Sequence, residues 1–101
     1  MSNQDLINDY VAKRPMSETW FRRAREVLGG GVGHDIRHFE PLPLYIERGE
    51  GGRKWDVDGN EYIDFLCGNG ALLLGHAAPE IVAAITDAVG RGTHFGNDHP
   101  L

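Results

Sequence analysis

Apolar positions in the first third of the chain recur at helical spacing. Leu6, Ile7, Tyr10 and Val11 share one face of a short helix expected over Asp5–Lys13, which Pro15 ends by biasing Arg14 away from helical angles. Trp20, Phe21, Ala24, Val27 and Leu28 form a second stripe opposite Arg22, Arg23, Arg25 and Glu26, with Ser17 as its expected cap and Gly29 as its stop. The period then changes to two. Between Leu42 and Arg48, Leu44 and Ile46 alternate with Tyr45 and Glu47, the pattern of an extended strand, and a turn is expected over Gly49–Gly52. Lys54–Val57 and Glu61–Phe65 flank Asp58-Gly59-Asn60 as the arms of a β-hairpin, whose turn requires φ > 0 and therefore glycine, with Asp and Asn tolerating it. Ala71–Leu74, bracketed by Gly68, Gly70 and Gly75, reads as a strand that turns before His76 into a helix opened by Pro79. That helix carries Ile81, Val82, Ala84, Ile85, Ala88 and Val89 and stops at Gly90 and Gly92. The expected class is α/β, locally an α+β segment: helices over residues 1–28, a glycine-rich loop over 29–43, antiparallel strands over 44–66, then a loop, a helix and an end over 67–101.

Composition narrows the function classes. A chain of 101 residues buries only about two-thirds of the surface its unfolded form exposes, so a large core is out of reach. Fourteen glycines suit a loop-rich piece that wraps something. The formal net charge is −5 and the basic residues cluster only at Arg22, Arg23 and Arg25, which argues against a nucleic-acid partner. No apolar run approaches the roughly 20 residues that span a bilayer, and the N-terminus has no signal-peptide pattern; a cytoplasmic protein is expected. The single Cys67 forms no internal disulfide and reads as a small buried hydrophobe. The amphipathic helices and hairpin have little to pack on, so the chain is expected to fold poorly alone, and its end in a polar loop after Pro100 reads as a truncation.

Candidate chemistry lies in the loops. Gly29-Gly30-Gly31-Val32-Gly33 follows a helix instead of a strand, has Ile36 where a dinucleotide fingerprint needs glycine, and lacks a following Gly-Lys-Ser/Thr. It reads as a flexible connection. His34 and His38, with Asp35 between them, have the residue types of a zinc site, but that spacing needs a helix that the neighbouring glycines, Pro41 and Pro43 oppose. Arg37 offers a planar fork suited to a substrate carboxylate, against the simpler reading of a surface ion pair with Asp35 or Glu40.

From Phe21 onward several blocks, in order, resemble one family. They are Gly30-Gly31-Val32, Arg37-His38-Phe39, Pro43-Leu44-Tyr45-Ile46-Glu47-Arg48-Gly49, Trp55-Asp56-Val57-Asp58-Gly59-Asn60-Glu61-Tyr62-Ile63-Asp64, Leu74-Gly75-His76 with Pro79-Glu80, and Arg91-Gly92-Thr93 with Phe95-Gly96. Together they resemble the N-terminal part of class III pyridoxal-phosphate aminotransferases, nearest the glutamate-1-semialdehyde aminomutase branch. The resemblance implies part of the small domain of a fold-type I enzyme, a homodimer in full-length form, and proton shifts on a small amino substrate with pyridoxal phosphate as electron sink. It implies that Arg37 anchors the substrate carboxylate and that Asn69 and Gly70 line the pocket. Two stretches depart from the branch: His34 and Asp35 replace a polar-small-Pro sequence, and Asn69 replaces a Trp. A transaminase acting on another amino acid or amine therefore stands beside the aminomutase. The Schiff-base lysine belongs downstream in the family, and neither Lys13 nor Lys54 matches it. The chain alone is expected to be inactive, the alternatives being a non-catalytic interaction or dimerisation module and a metal-binding module on His34, Asp35 and His38.

Overall fold

Three helices, two single 3-10 turns and a three-stranded antiparallel sheet make up the computed structural model, in which residues 1–100 are described. Helix α1 (Asn3–Ala12) starts two residues earlier than its apolar pattern suggests, because Ser2 and Asp5 close a capping box: Ser2 Oγ accepts from Asp5 N and Asp5 accepts from Ser2 N. Helix α2 (Pro15–Val27) also starts earlier than expected. Ser17 is not its cap; it is a fully buried residue inside the first turn. Pro15 takes the first helical position, where its missing N–H costs nothing, and Arg14 at the N-cap provides no side-chain acceptor. A 3-10 turn at Gly29–Gly31 follows α2, and a second covers Asp35–Arg37.

The sheet is a meander in the order β1-β2-β3, with β1 at Ile46–Glu50, β2 at Arg53–Asp56 and β3 at Glu61–Ile63. Leu42–Tyr45, expected to be strand, lies outside it, and Gly49 and Glu50, expected in the turn, belong to β1. A register shift between Ile46 and Arg48 marks a bulge in β1. In the β2–β3 turn Gly59 has positive φ (85°), and Asp58 and Asn60 do not. Ala71–Leu74 forms turns and not a strand. The chain then bridges back to the sheet, Gly51 and His76 exchanging two backbone hydrogen bonds of 2.9 and 2.8 Å, before α3 (Pro79–Val89) begins.

Leu42 is the one buried large apolar side chain among the described residues, whereas Trp20, Ile81, Val82, Ile85 and Val89 are all at least 40% exposed. The radius of gyration is 17.3 Å, against about 13 Å for a compact domain of this size. What ties the elements together is polar. The chain is organised around two buried carboxylates, Asp56 and Asp64.

Candidate functional site

Asp56, at the end of β2, is fully buried and collects four donors: the Tyr62 hydroxyl at 2.7 Å, the Asn60 side-chain amide, and the backbone N–H groups of Asp58 and Asn60. Burial pushes its carboxyl up, but these hydrogen bonds outweigh burial and hold it below the usual range. Tyr62 shows the reverse effect, its hydroxyl pushed up to about 12 by burial and by donating to Asp56, against the Arg14 guanidinium. Arg14 stacks over the Tyr10 ring at 3.8 Å and donates to the Tyr62 hydroxyl, while Tyr10 donates to Leu42 O. Two residues on, the Asp58 carboxylate accepts from Met16 N, Ser17 N and Ser17 Oγ at 2.6, 2.9 and 2.9 Å. The hairpin turn thus supplies α2 with the cap that Arg14 cannot.

The Tyr10 bond to Leu42 O ties this scaffold to the end of the loop that carries Arg37. Arg37 closes the 3-10 turn, held by Arg37 N to His34 O and His38 N to Asp35 O. Neither expected ion pair of Arg37 exists: Asp35 Oδ1 lies 2.7 Å from His34 Nδ1, and Glu40 faces His38 at 4.0 Å. With both nearby carboxylates turned to histidines, the Arg37 guanidinium has no hydrogen-bond or ion-pair partner among the described residues. It lies beside Gly33, on a cavity of about 370 Å³ whose other walls include Leu28, Val32, Leu44, Tyr45 and Ile46. A free planar cation at the rim of an apolar cavity is suited to a carboxylate attached to an apolar body. His34 and His38 are each directed at a separate carboxylate, and among the described residues no group of three or more His, Cys, Asp or Glu is placed to hold a metal ion.

Asn69 and Gly70 lie in a different loop and do not line the Arg37 cavity. They belong to four consecutive residues, Cys67, Gly68, Asn69 and Gly70, with φ of 48, 60, 59 and 84°, a single left-handed turn closed by Gly70 N to Leu66 O and Leu72 N to Cys67 O. Asp64 stands at the base of this loop, its carboxylate accepting from His76 Nε2 at 2.6 Å, Lys54 Nζ at 2.9 Å and Leu66 N at 3.0 Å. His76 and then Lys54 hold the Asp64 carboxyl well below its usual range. Lys54 is therefore engaged, and Lys13 pairs with Asp9 at 2.6 Å. Sequence patterning singled out neither Asp64 nor the His76 contact, because their partners are 10 to 12 residues away across a turn.

Residues 36–98 match the family model Aminotransferase class-III. Glutamate-1-semialdehyde 2,1-aminomutase of Methanopyrus kandleri is 45% identical over 87 residues, which cover 86% of this chain and 20% of the relative. Among solved structures, a β-phenylalanine aminotransferase from Variovorax paradoxus superposes with a TM-score of 0.85 at 32% identity, over 97% of this chain and 23% of its own. A transaminase with PLP bound gives a TM-score of 0.76 at 46% identity, over 83% of this chain and 20% of its own. The chain spans about a fifth of the length of the curated relatives it matches.

Proposed function

The chain belongs to the class III aminotransferase family, and from that premise we propose that it forms the N-terminal, substrate-facing part of a pyridoxal-phosphate-dependent transaminase or 2,1-aminomutase. The observation that carries this reading is the unpaired Arg37 guanidinium on the rim of an apolar cavity. In this reading Arg37 takes the carboxylate of an amino acid or amino-aldehyde as a bidentate pair, which fixes the substrate's orientation before any bond changes. Asn69 and Gly70 form a second wall, and the absence of a Cβ at Gly70 leaves room for the substrate.

Pyridoxal phosphate supplies an electron sink for proton shifts at the carbon bearing the amino group when it is bound. The residues of this chain do not fit it as a holder. Lys54 is committed to Asp64, and Lys13 sits on the exposed end of α1 paired with Asp9. The cofactor is accordingly assigned to polypeptide that complements this chain, in a cytoplasmic homodimer. A second reading, a non-catalytic docking module, is favoured by the exposure of Trp20 and of Ile81, Val82, Ile85 and Val89 on α3.

Mixing the purified chain with pyridoxal phosphate, reducing with borohydride and locating adducts by mass spectrometry tests the assignment. No stoichiometric adduct on Lys13 or Lys54 is expected; such an adduct accompanied by transaminase turnover overturns the reading. In the active assembly, Arg37→Ala should raise KM for carboxylate-bearing amino donors by about 10- to 100-fold, the loss of one charged bidentate contact, while sparing amines that lack a carboxylate. Equal losses for both donor classes argue against the anchor.

A further inference from the structure

We propose that Asp64 and His76, with Lys54 behind them, are positioning residues for the left-handed turn at Cys67–Gly70, and so set where Asn69 and Gly70 stand in the substrate pocket. The significance for catalysis rests on the pocket reading above; the clamp itself does not.

The turn has little of its own to hold it. Cys67 and Asn69 both carry a Cβ in the left-handed region, where side chains are disfavoured, and such backbone persists only where the surroundings over-determine it. Phe65, Leu66, Leu73 and Leu74 are all more than half exposed, so packing does not supply that constraint. Asp64 does. One carboxylate oxygen takes the Leu66 and Cys67 N–H groups at 3.0 and 3.3 Å together with Lys54, while the other receives His76 Nε2–H at 2.6 Å. The Cys67 thiol closes the arrangement by donating to Asp64 O at 3.2 Å.

Residues 65–75 thereby become a loop whose two ends are pinned to one buried carboxylate, and His76 is itself fixed in two further ways. Its backbone pairs with Gly51 in both directions, and its ring lies against Gly49, where any Cβ would come within 2.5 to 2.9 Å of the imidazole. Gly49 and Lys54 in the strands, with Gly51 and Asp64 immediately beside them, thus dictate the conformation of a loop that the strands do not contain.

Cys67 is the chain's one cysteine, which makes its thiol a reporter of the turn independent of any activity. The rate of modification by a disulfide reagent is measured for the full chain at neutral pH, against the same chain in urea. Protection relative to urea is expected in the unaltered chain. Asp64→Ala and His76→Ala should each raise the rate by roughly tenfold or more, as expected for loss of a charged hydrogen bond. His76→Gln, which keeps an amide donor near the position of Nε2, should restore most of the protection, and Asp58→Ala, which disturbs the other carboxylate cluster, should leave it unchanged. The proposal is overturned if the unaltered chain shows no protection, if His76→Gln behaves as His76→Ala, or if Asp58→Ala exposes the thiol equally. In the active assembly, His76→Gln retaining turnover that His76→Ala loses ties the clamp to the pocket. Thiol results as expected without that difference would leave the clamp standing and refute the pocket role of Asn69 and Gly70.

Discussion

Replacing Asp58 by alanine removes a helix cap that comes from 41 residues further along the chain. Pro15 has no N–H, so the donors left open at the start of α2 are Met16 N and Ser17 N, and both go to Asp58. Losing a side-chain cap costs about 1 kcal/mol, within a range of roughly 0.5–2. The Ser17 hydroxyl, completely buried and donating to the same carboxylate, loses its acceptor as well, which adds about 1–2 kcal/mol. The expected total is about 2–3 kcal/mol, or a 30- to 150-fold change in a local opening constant. Amide hydrogen exchange over Met16–Thr19 reads that constant directly and does not require global unfolding to be cooperative. Asp58→Asn, which keeps one acceptor oxygen, should lose less. In the Ser17→Ala background, Asp58→Ala should cost about 1 kcal/mol less than in the unaltered chain, because no hydroxyl is left stranded. Unchanged exchange at Met16 and Ser17 in Asp58→Ala, or full additivity with Ser17→Ala, would refute the reasoning.

Three further outcomes follow from the same contacts. Asp56 and Asp64 both have carboxyls held below their unfolded values, so their contribution is fully present above about pH 4 and is lost as pH falls through the lower folded values; near-UV circular dichroism should hold through pH 4 and decline below it, and the decline should be flatter in Asp56→Asn/Asp64→Asn. Tyr62 is raised to about 12, so its contribution is complete below about pH 10 and fades as pH rises through 12. The ultraviolet absorbance of tyrosinate should show the last of the three tyrosines titrating near 12, a component that Tyr62→Phe removes. Gly75→Ala combines φ of 80° with a Cβ 2.7 Å from Gly51 O, a backbone atom without room to retreat, and should cost about 2–4 kcal/mol in exchange protection at Gly51 and His76; protection within threefold of the unaltered chain contradicts it.

Local patterning found the elements whose causes are local. Pro79 and the apolar run after it placed α3, and Gly59 between two β-forming runs placed the hairpin. It failed where distant residues decide. Ser17 has the chemistry of a cap, yet the first turn forms around Pro15 because an acceptor arrives from Asp58, 41 residues later. Alternation suggested a strand from Leu42, but Leu42 is buried with its carbonyl held by the Tyr10 hydroxyl, and pairing begins only at Ile46. The ion pair expected for Arg37 was reasonable from spacing alone; His34 and His38 take both carboxylates instead, and that depends on the geometry of the 3-10 turn. The Asp64 arrangement was hidden for the same reason, since its donors lie on a strand and beyond a loop.

Capping across the hairpin also has a consequence for biosynthesis. A ribosome adds about 5–20 residues per second, so the 41 residues between Ser17 and Asp58 take about 2–8 s to follow. Throughout that interval Met16 N and Ser17 N of the nascent α2 lack the acceptor they have in the folded chain. The first turn of α2 is therefore completed only when the Asp58 turn emerges and docks.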